Sequence, residues 1–206
     1  MFIHVNGLLG KKEENQGPAC PYRTYALGHH RNCSFPTSPS LEVNLSENEN
    51  SGAEVRHLTI SNTAGENVGT EVGQVAPNFI DLNDDTFSLT ALHGKIVVLD
   101  FMATWCSPCK IEMSHLKEIF QNYDTEQVVI ISIDVDPTES DETILGFKKE
   151  YGDEWVFASG PEVGATYGVI YIPTIYIIDG EGIITYKNTG VTSSSELSAE
   201  IDKLME

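Results

Sequence analysis

A nearly unbroken apolar run, Lys95-Ile-Val-Val-Leu-Asp-Phe-Met102, ends just ahead of Cys106-Ser-Pro-Cys109, and the cysteines open a stretch of helical spacing. This order constrains the fold more than any other feature of the chain. A run of strand length without alternation fits a strand covered on both faces, as in sheets that carry helices on either side. After the cysteines, Ile111, Met113, Leu116, Ile119 and Phe120 recur as one face of a helix over 107–122.

The flanking sequence extends the same pattern. Residues 127–134 read as a second central strand, and 140–151 as a helix with Ile144, Leu145, Phe147 and Tyr151 on its apolar side. A short strand at 155–158 and a helical turn at 163–167 follow. Then come a strand at 175–178, a turn at Asp179-Gly-Glu-Gly182, a returning strand at 183–187 and a closing helix at 193–205. Upstream, 78–82 and 86–89 form a small hairpin around Asn83-Asp84-Asp85. Strands and helices alternate first and an antiparallel hairpin comes last, so the prediction is an α/β fold with a central mixed sheet flanked by helices.

Composition shifts near residue 68. Residues 1–67 are rich in Asn, Ser, Glu, Gly and Pro and read as a low-complexity tail or linker, with one short strand at 55–60 as the exception; 68–206 is the expected domain. Acidic residues outnumber basic ones 31 to 12, for a net charge of −19. An anionic surface of this kind disfavours nucleic acid and acidic lipid as partners. No apolar run reaches the roughly 18 residues of a membrane-spanning helix. At the start of the chain His4 and Asn6 interrupt the apolar residues and Lys11 and Lys12 follow them, which is a poor leader. Gln16-Gly-Pro-Ala19 ahead of Cys20 likewise lacks the pattern of a lipidated cysteine.

Four cysteines in 206 residues are too few to build a scaffold, so the apolar core must do the folding. Two of them, Cys106 and Cys109, sit where a buried strand gives way to a helix. Free N–H groups and the helix dipole favour negative charge at that point. Such placement lowers a thiol pKa from about 8.5 into roughly the 3.5–7.5 range, so Cys106 is the expected nucleophile. Cys109 lies one turn further along, within reach of a mixed disulfide, and Pro108 suits a first turn that needs no N–H from it. A zinc knuckle is the competing reading of any Cys-x-x-Cys, but it needs a second ligand pair and usually a short turn.

The segment KIVVLDFMATWCSPCKIE at 95–112 resembles the TlpA/ResA-like thioredoxin-fold proteins, and the likeness runs from Val75-Ala-Pro-Asn-Phe79 to the last helix. The helix and strand at 138–158 suit this family better than a minimal thioredoxin. The resemblance implies dithiol–disulfide exchange with protein substrates, an upstream electron donor, work as a reductant, and no metal or organic cofactor. It implies a site outside the cytoplasmic membrane, against the weak leader at the start of the chain. A monomer without stable membrane insertion is expected. Ile172-Pro173-Thr174 matches the cis-proline loop that faces the cysteines in this fold, and Trp105 should cover the site as a partly exposed apolar surface. Together with Pro108, these residues are the candidate substrate contacts. Asp100 matches the buried carboxylate beneath the second cysteine of thioredoxins, and Glu112 the active-site glutamate of the ResA-like proteins. Both are candidate proton acceptors for Cys109, with Asp100 the more deeply buried and Glu112 nearer solvent. Ile130 stands where thioredoxins keep a lysine.

Other signals are weaker. Cys20 and Cys33 flank His29 and His30 at a spacing that fits no zinc motif, which leaves an incidental pair, a disulfide or a metal site open. Asn32-Cys-Ser and Asn44-Leu-Ser fit the glycosylation triplet. His57, His93 and His115 show no partner in sequence and receive no role. Two competing functions remain. A peroxiredoxin-like peroxidase shares the fold, but Ala103 and Leu99 stand where its Thr/Ser and Pro belong. A non-catalytic binding module would have little need for both cysteines, the Ile172-Pro173 loop and two carboxylates together.

Overall fold

Strands and helices alternate along the residues described by the computed structural model, 54–61, 67–152 and 154–205. In chain order they are β1 (Arg56–Ile60), β2 (Phe79–Asp81), a short 3-10 turn (Thr90–Leu92), β3 (Ile96–Met102), α1 (Ser107–Asn122), β4 (Val128–Asp134) and α2 (Asp141–Tyr151). There follow β5 (Val156–Ser159), α3 (Pro161–Thr166), β6 (Thr174–Ile178), β7 (Ile184–Thr189) and α4 (Ser194–Asp202). The sheet has the order β2-β1-β5-β4-β3-β6-β7. Its centre, β5-β4-β3, is parallel; β6 adds antiparallel to β3, and β7 antiparallel to β6. The mixed sheet expected from the sequence is therefore present.

Strand alternation divides the core into two layers. Val98, Met102, Ile130, Ile175 and Ile177 pack with Met113, Leu116 and Ile119 of α1 and Leu197 and Ile201 of α4. On the opposite face Leu99, Phe101, Ile131, Ile133 and Tyr176 pack with Phe79, Val163 and Tyr167. Every residue of β3 is buried, which explains its lack of alternation. Asp100 alternates with Val98 and Met102 and so lies on the α1 side of the sheet, the side that carries Cys109.

Two differences from the sequence reading concern the edge of the sheet. The second arm of the expected hairpin is too short for a strand: it closes with Asp81 N–H to Phe87 O, Leu89 N–H to Phe79 O and one bridge, Ile80 to Ser88. β2 takes β1 as its ladder partner instead, and β1 lies between β2 and β5, ahead of the boundary expected at 67/68. Leu58 is buried there, and Arg56 binds Asp81 at 2.8 Å while its guanidinium stacks 4.1 Å from the Phe87 ring. By contacts the chain divides into Met1–Leu45 and Ser46–Glu206, and the described residues belong to the second unit. Cys20, His29, His30, Cys33, both glycosylation triplets and the tail reading over 1–53 fall outside the described residues. No helix among the described residues is long and apolar enough to cross a membrane.

Candidate active site

Cys106 is the N-cap of α1. Its backbone is extended, its sulfur accepts the N–H of Cys109 at 3.2 Å, and Pro108 occupies the first turn. This contact meets one of the N–H groups that a helix start leaves unpaired, and it would favour a thiolate at the same position. The two sulfurs are joined as a disulfide with an S–S distance of 2.08 Å. In this form both cysteines are buried, Cys106 at 3% and Cys109 at 0% exposure, so the terminal helix position does not leave Cys106 open to solvent.

The loop before β6 faces the pair. The Ile172–Pro173 bond is cis, and the Ile172 carbonyl oxygen lies 3.8 Å from the Cys106 sulfur. Trp105, at 64% exposure, is held from the side: its Nε1 donates to Asp136 Oδ2 at 2.8 Å. The preceding Thr104 N–H donates to Glu139 at 3.2 Å. A groove of about 360 Å³ runs between Trp105 and the residues Val135, Pro137, Val169, Ile170 and Ile172. Ile170 and Tyr171 beside it are strongly exposed, so the surface around the disulfide is apolar.

Two carboxyl groups belong to the same region. Asp100 is fully buried; its Oδ2 accepts the Ser132 hydroxyl at 2.9 Å and its Oδ1 has no partner. Burial and the neighbouring negative charge of Glu112 push its pKa up to about 8, against the lowering effect of the Ser132 hydrogen bond. Glu112 is also buried, with Oε2 accepting the Thr192 N–H at 2.7 Å and Oε1 unpartnered. Like Asp100 it has no exposed surface, because α1 turns it inward, against the loop that leads into α4. Burial raises its pKa to about 7, opposed by the Thr192 N–H and by His115. In the place where a lysine was missed, Ile130 is simply part of the core.

Several residues of the site escaped the sequence reading. Ser132 pairs in register with Asp100 across β3 and β4, and its hydroxyl also accepts the Trp155 indole N–H at 3.1 Å. A lone hydroxyl in the apolar run Val-Val-Ile-Ile-Ser-Ile was the available signal. His115 does have a partner, since its Nδ1 lies 2.7 Å from the Thr192 carbonyl, on the residue whose N–H holds Glu112. Asp134 is buried with Oδ1 accepting the Asp136 N–H and Oδ2 unpartnered, and burial with Glu139 nearby raises it to about 7.

A cysteine disulfide at a helix N-cap, facing a cis-proline loop on a mixed sheet, defines the thioredoxin-like class of thiol–disulfide oxidoreductases. The sequence comparisons agree with that class. Residues 72–187 match the model of the AhpC/TSA family. The chain is 36% identical over 138 residues to the thiol-disulfide oxidoreductase ResA of Bacillus thuringiensis subsp. konkukian, covering 65% of this chain and 79% of that protein. It is 33% identical over 127 residues to ResA of Bacillus subtilis, covering 60% and 70% respectively. The thioredoxin domain of a thiol-disulfide oxidoreductase from Bacteroides vulgatus superposes with a TM-score of 0.56 at 24% identity, over 66% of this chain and 99% of that one, which supports the fold. The chain belongs to the AhpC/TSA family and, within that match, is a ResA-like thiol–disulfide oxidoreductase.

Proposed function

We propose that the protein donates electrons from the Cys106–Cys109 dithiol to disulfides in protein substrates and is recharged by an upstream dithiol donor. In the forward direction the Cys106 thiolate attacks one substrate sulfur, breaking the substrate disulfide and forming a Cys106–substrate bond. The Cys109 thiol then loses its proton, attacks the Cys106 sulfur and expels the substrate thiolate. Two electrons pass to the substrate and the enzyme disulfide closes. Asp100 or Glu112 takes the Cys109 proton, while Trp105, Pro108, Ile172 and Pro173 receive an extended substrate segment. The protein acts as a monomer.

The observation that carries this reading is the position of the Cys106 sulfur, bonded to Cys109, capped by the Cys109 N–H and 3.8 Å from the Ile172 carbonyl. The carboxyls support the reducing direction. Buried groups able to become negative near the pair disfavour thiolate and so destabilise the dithiol form, whereas strong oxidants of this chemistry stabilise it. A peroxidase reading gains little from Ala103, which is buried and has no hydroxyl to offer a peroxide.

Trapping tests the assignment. Cys109→Ser should accumulate a mixed disulfide with a protein substrate, and Cys106→Ser should form none; trapping by Cys106→Ser instead reverses the roles. A reduction potential for the pair closer to about −270 mV than to about −120 mV would support the reducing direction.

A further inference from the structure

Behind Asp100 stands a buried chain of donors whose direction is set by chemistry. Trp155 Nε1 lies 3.1 Å from Ser132 Oγ, and Ser132 Oγ lies 2.9 Å from Asp100 Oδ2. An indole N–H can only donate. The Ser132 oxygen therefore accepts from Trp155, and its own proton goes to the acceptor beside it, Asp100 Oδ2. Strand register makes this arrangement durable, because Asp100 and Ser132 are direct partners on parallel β3 and β4 and point to the same face. Asp100 and Ser132 are fully buried and Trp155 nearly so, leaving no bulk water to replace either bond.

We propose that Ser132, with Trp155 behind it, is a positioning pair that pins Asp100 Oδ2 as an acceptor and thereby assigns the transferable proton to Oδ1, the oxygen with no partner. The last clause rests on the reading of Asp100 as proton acceptor for Cys109. An oxygen that already receives a hydroxyl proton is the poorer site for a second one, so protonation falls on Oδ1. In the resolving step the Cys109 S–H proton passes to Oδ1, the Cys109 sulfur bonds to the Cys106 sulfur, and the bond between Cys106 and substrate breaks with its electron pair on the substrate sulfur. The same hydrogen bond moderates how far burial lifts Asp100. Glu112 acts against it from α1, and beyond Glu112 stand His115, on the same helix, and Glu196, on α4. Asp134, two residues along β4, faces the same side of the sheet, accepts the Asp136 N–H and is raised by the neighbouring Glu139.

The test follows the Asp100 carboxyl by carbon NMR in the full-length protein, assigned by its loss in Asp100→Asn, together with the pH profile of mixed-disulfide resolution. Ser132→Ala removes the donor, so the Asp100 midpoint should rise by about one pH unit, the size expected for a hydrogen bond to a charged group. Resolution at neutral pH should slow severalfold, with its pH profile displaced upward in step. Trp155→Phe keeps an aromatic ring but loses the N–H with the rest of the indole, so it should give a smaller shift of the same sign. Ser132→Thr retains a hydroxyl and should restore the wild-type midpoint. If neither Ser132→Ala nor Trp155→Phe raises the midpoint, the positioning role is overturned, even where Asp100→Asn still slows resolution. If the midpoint rises while resolution stays unchanged, the pinning stands and the reading of Asp100 as base fails.

Discussion

Glu112 Oε2 accepts the backbone N–H of Thr192 at 2.7 Å, which ties the second turn of α1 to the loop ahead of α4 and buries a carboxyl of the active-site helix. With Asp100 likewise buried, both groups can exchange a proton near neutral pH, lifted to about 7 and about 8. Asp100→Asn should slow resolution of the mixed disulfide on the order of 10²-fold and leave its formation nearly unchanged. Because Glu112 is buried rather than solvent-facing, Glu112→Gln should also slow resolution, more weakly, with the larger deficit below the Asp100 midpoint. Stopped-flow Trp105 fluorescence separates the two steps; wild-type resolution in both variants would make the carboxyls purely structural.

The same burial has a consequence for stability. Asp100, Glu112 and Asp134 ionise near 4 when unfolded, and in the fold they hold their protons up to about 8, about 7 and about 7. Between those limits the native state binds more protons than the unfolded state, so stability falls as pH rises. The stabilisation is complete below the unfolded pKa values and is lost as pH passes the folded ones. Urea unfolding of the disulfide form should show greater stability at about pH 5 than at about pH 9, with a flatter dependence in Asp100→Asn. An equal slope in that variant would remove Asp100 from the account.

β1 gives a test of where the folded unit begins. We propose that it starts near residue 54 rather than at 68. A chain beginning at Glu54 should match the full chain in Tm and exchange activity. One beginning at Val68 loses β1 and the buried Val55 and Leu58, a loss of about 3 kcal/mol or more at the usual 1.5–3 kcal/mol per apolar side chain. Equal stability of the two truncated chains would place the boundary back at 68.

Asp136 is the clamp on Trp105. Its pKa lies below the ordinary carboxylate value, first through the Thr138 hydroxyl and backbone N–H and then through the Trp105 indole, so it stays ionised well into acid. Asp136→Ala should loosen Trp105, raising its quenching by acrylamide, and should increase KM for a protein disulfide severalfold with little change in kcat. In wild type the quenching should stay flat over the range in which resolution varies with pH. An unchanged KM in the variant would mean that Trp105 needs no brace.

The sequence carried the elements that place the site, for reasons of pattern. β3 has no alternation because both faces are covered, and α1 has one apolar stripe because only one side meets the sheet. The N-cap cysteine, Pro108 and the Ile172–Pro173 loop are local features, and so were legible. What was not legible is lateral. Ser132 reaches Asp100 through strand register, Trp155 reaches Ser132 from β5's start, and Glu112 meets Thr192 from across the chain; linear spacing encodes none of these. β1 was easy to underrate for the same reason, since five residues show an alternation that only its two neighbours make meaningful.

The near-complete enclosure of the Cys106–Cys109 disulfide sets who can converse with it. With Cys106 only 3% exposed, the disulfide offers little surface to a small thiol diffusing in water, whereas the proposed docking of a chain against the Ile172–Pro173 loop and the Trp105 groove would bring a substrate sulfur to it. On that reading the centre should be kinetically insulated, its oxidation state answering to docked macromolecules and drifting only slowly toward that of the surrounding thiol buffer.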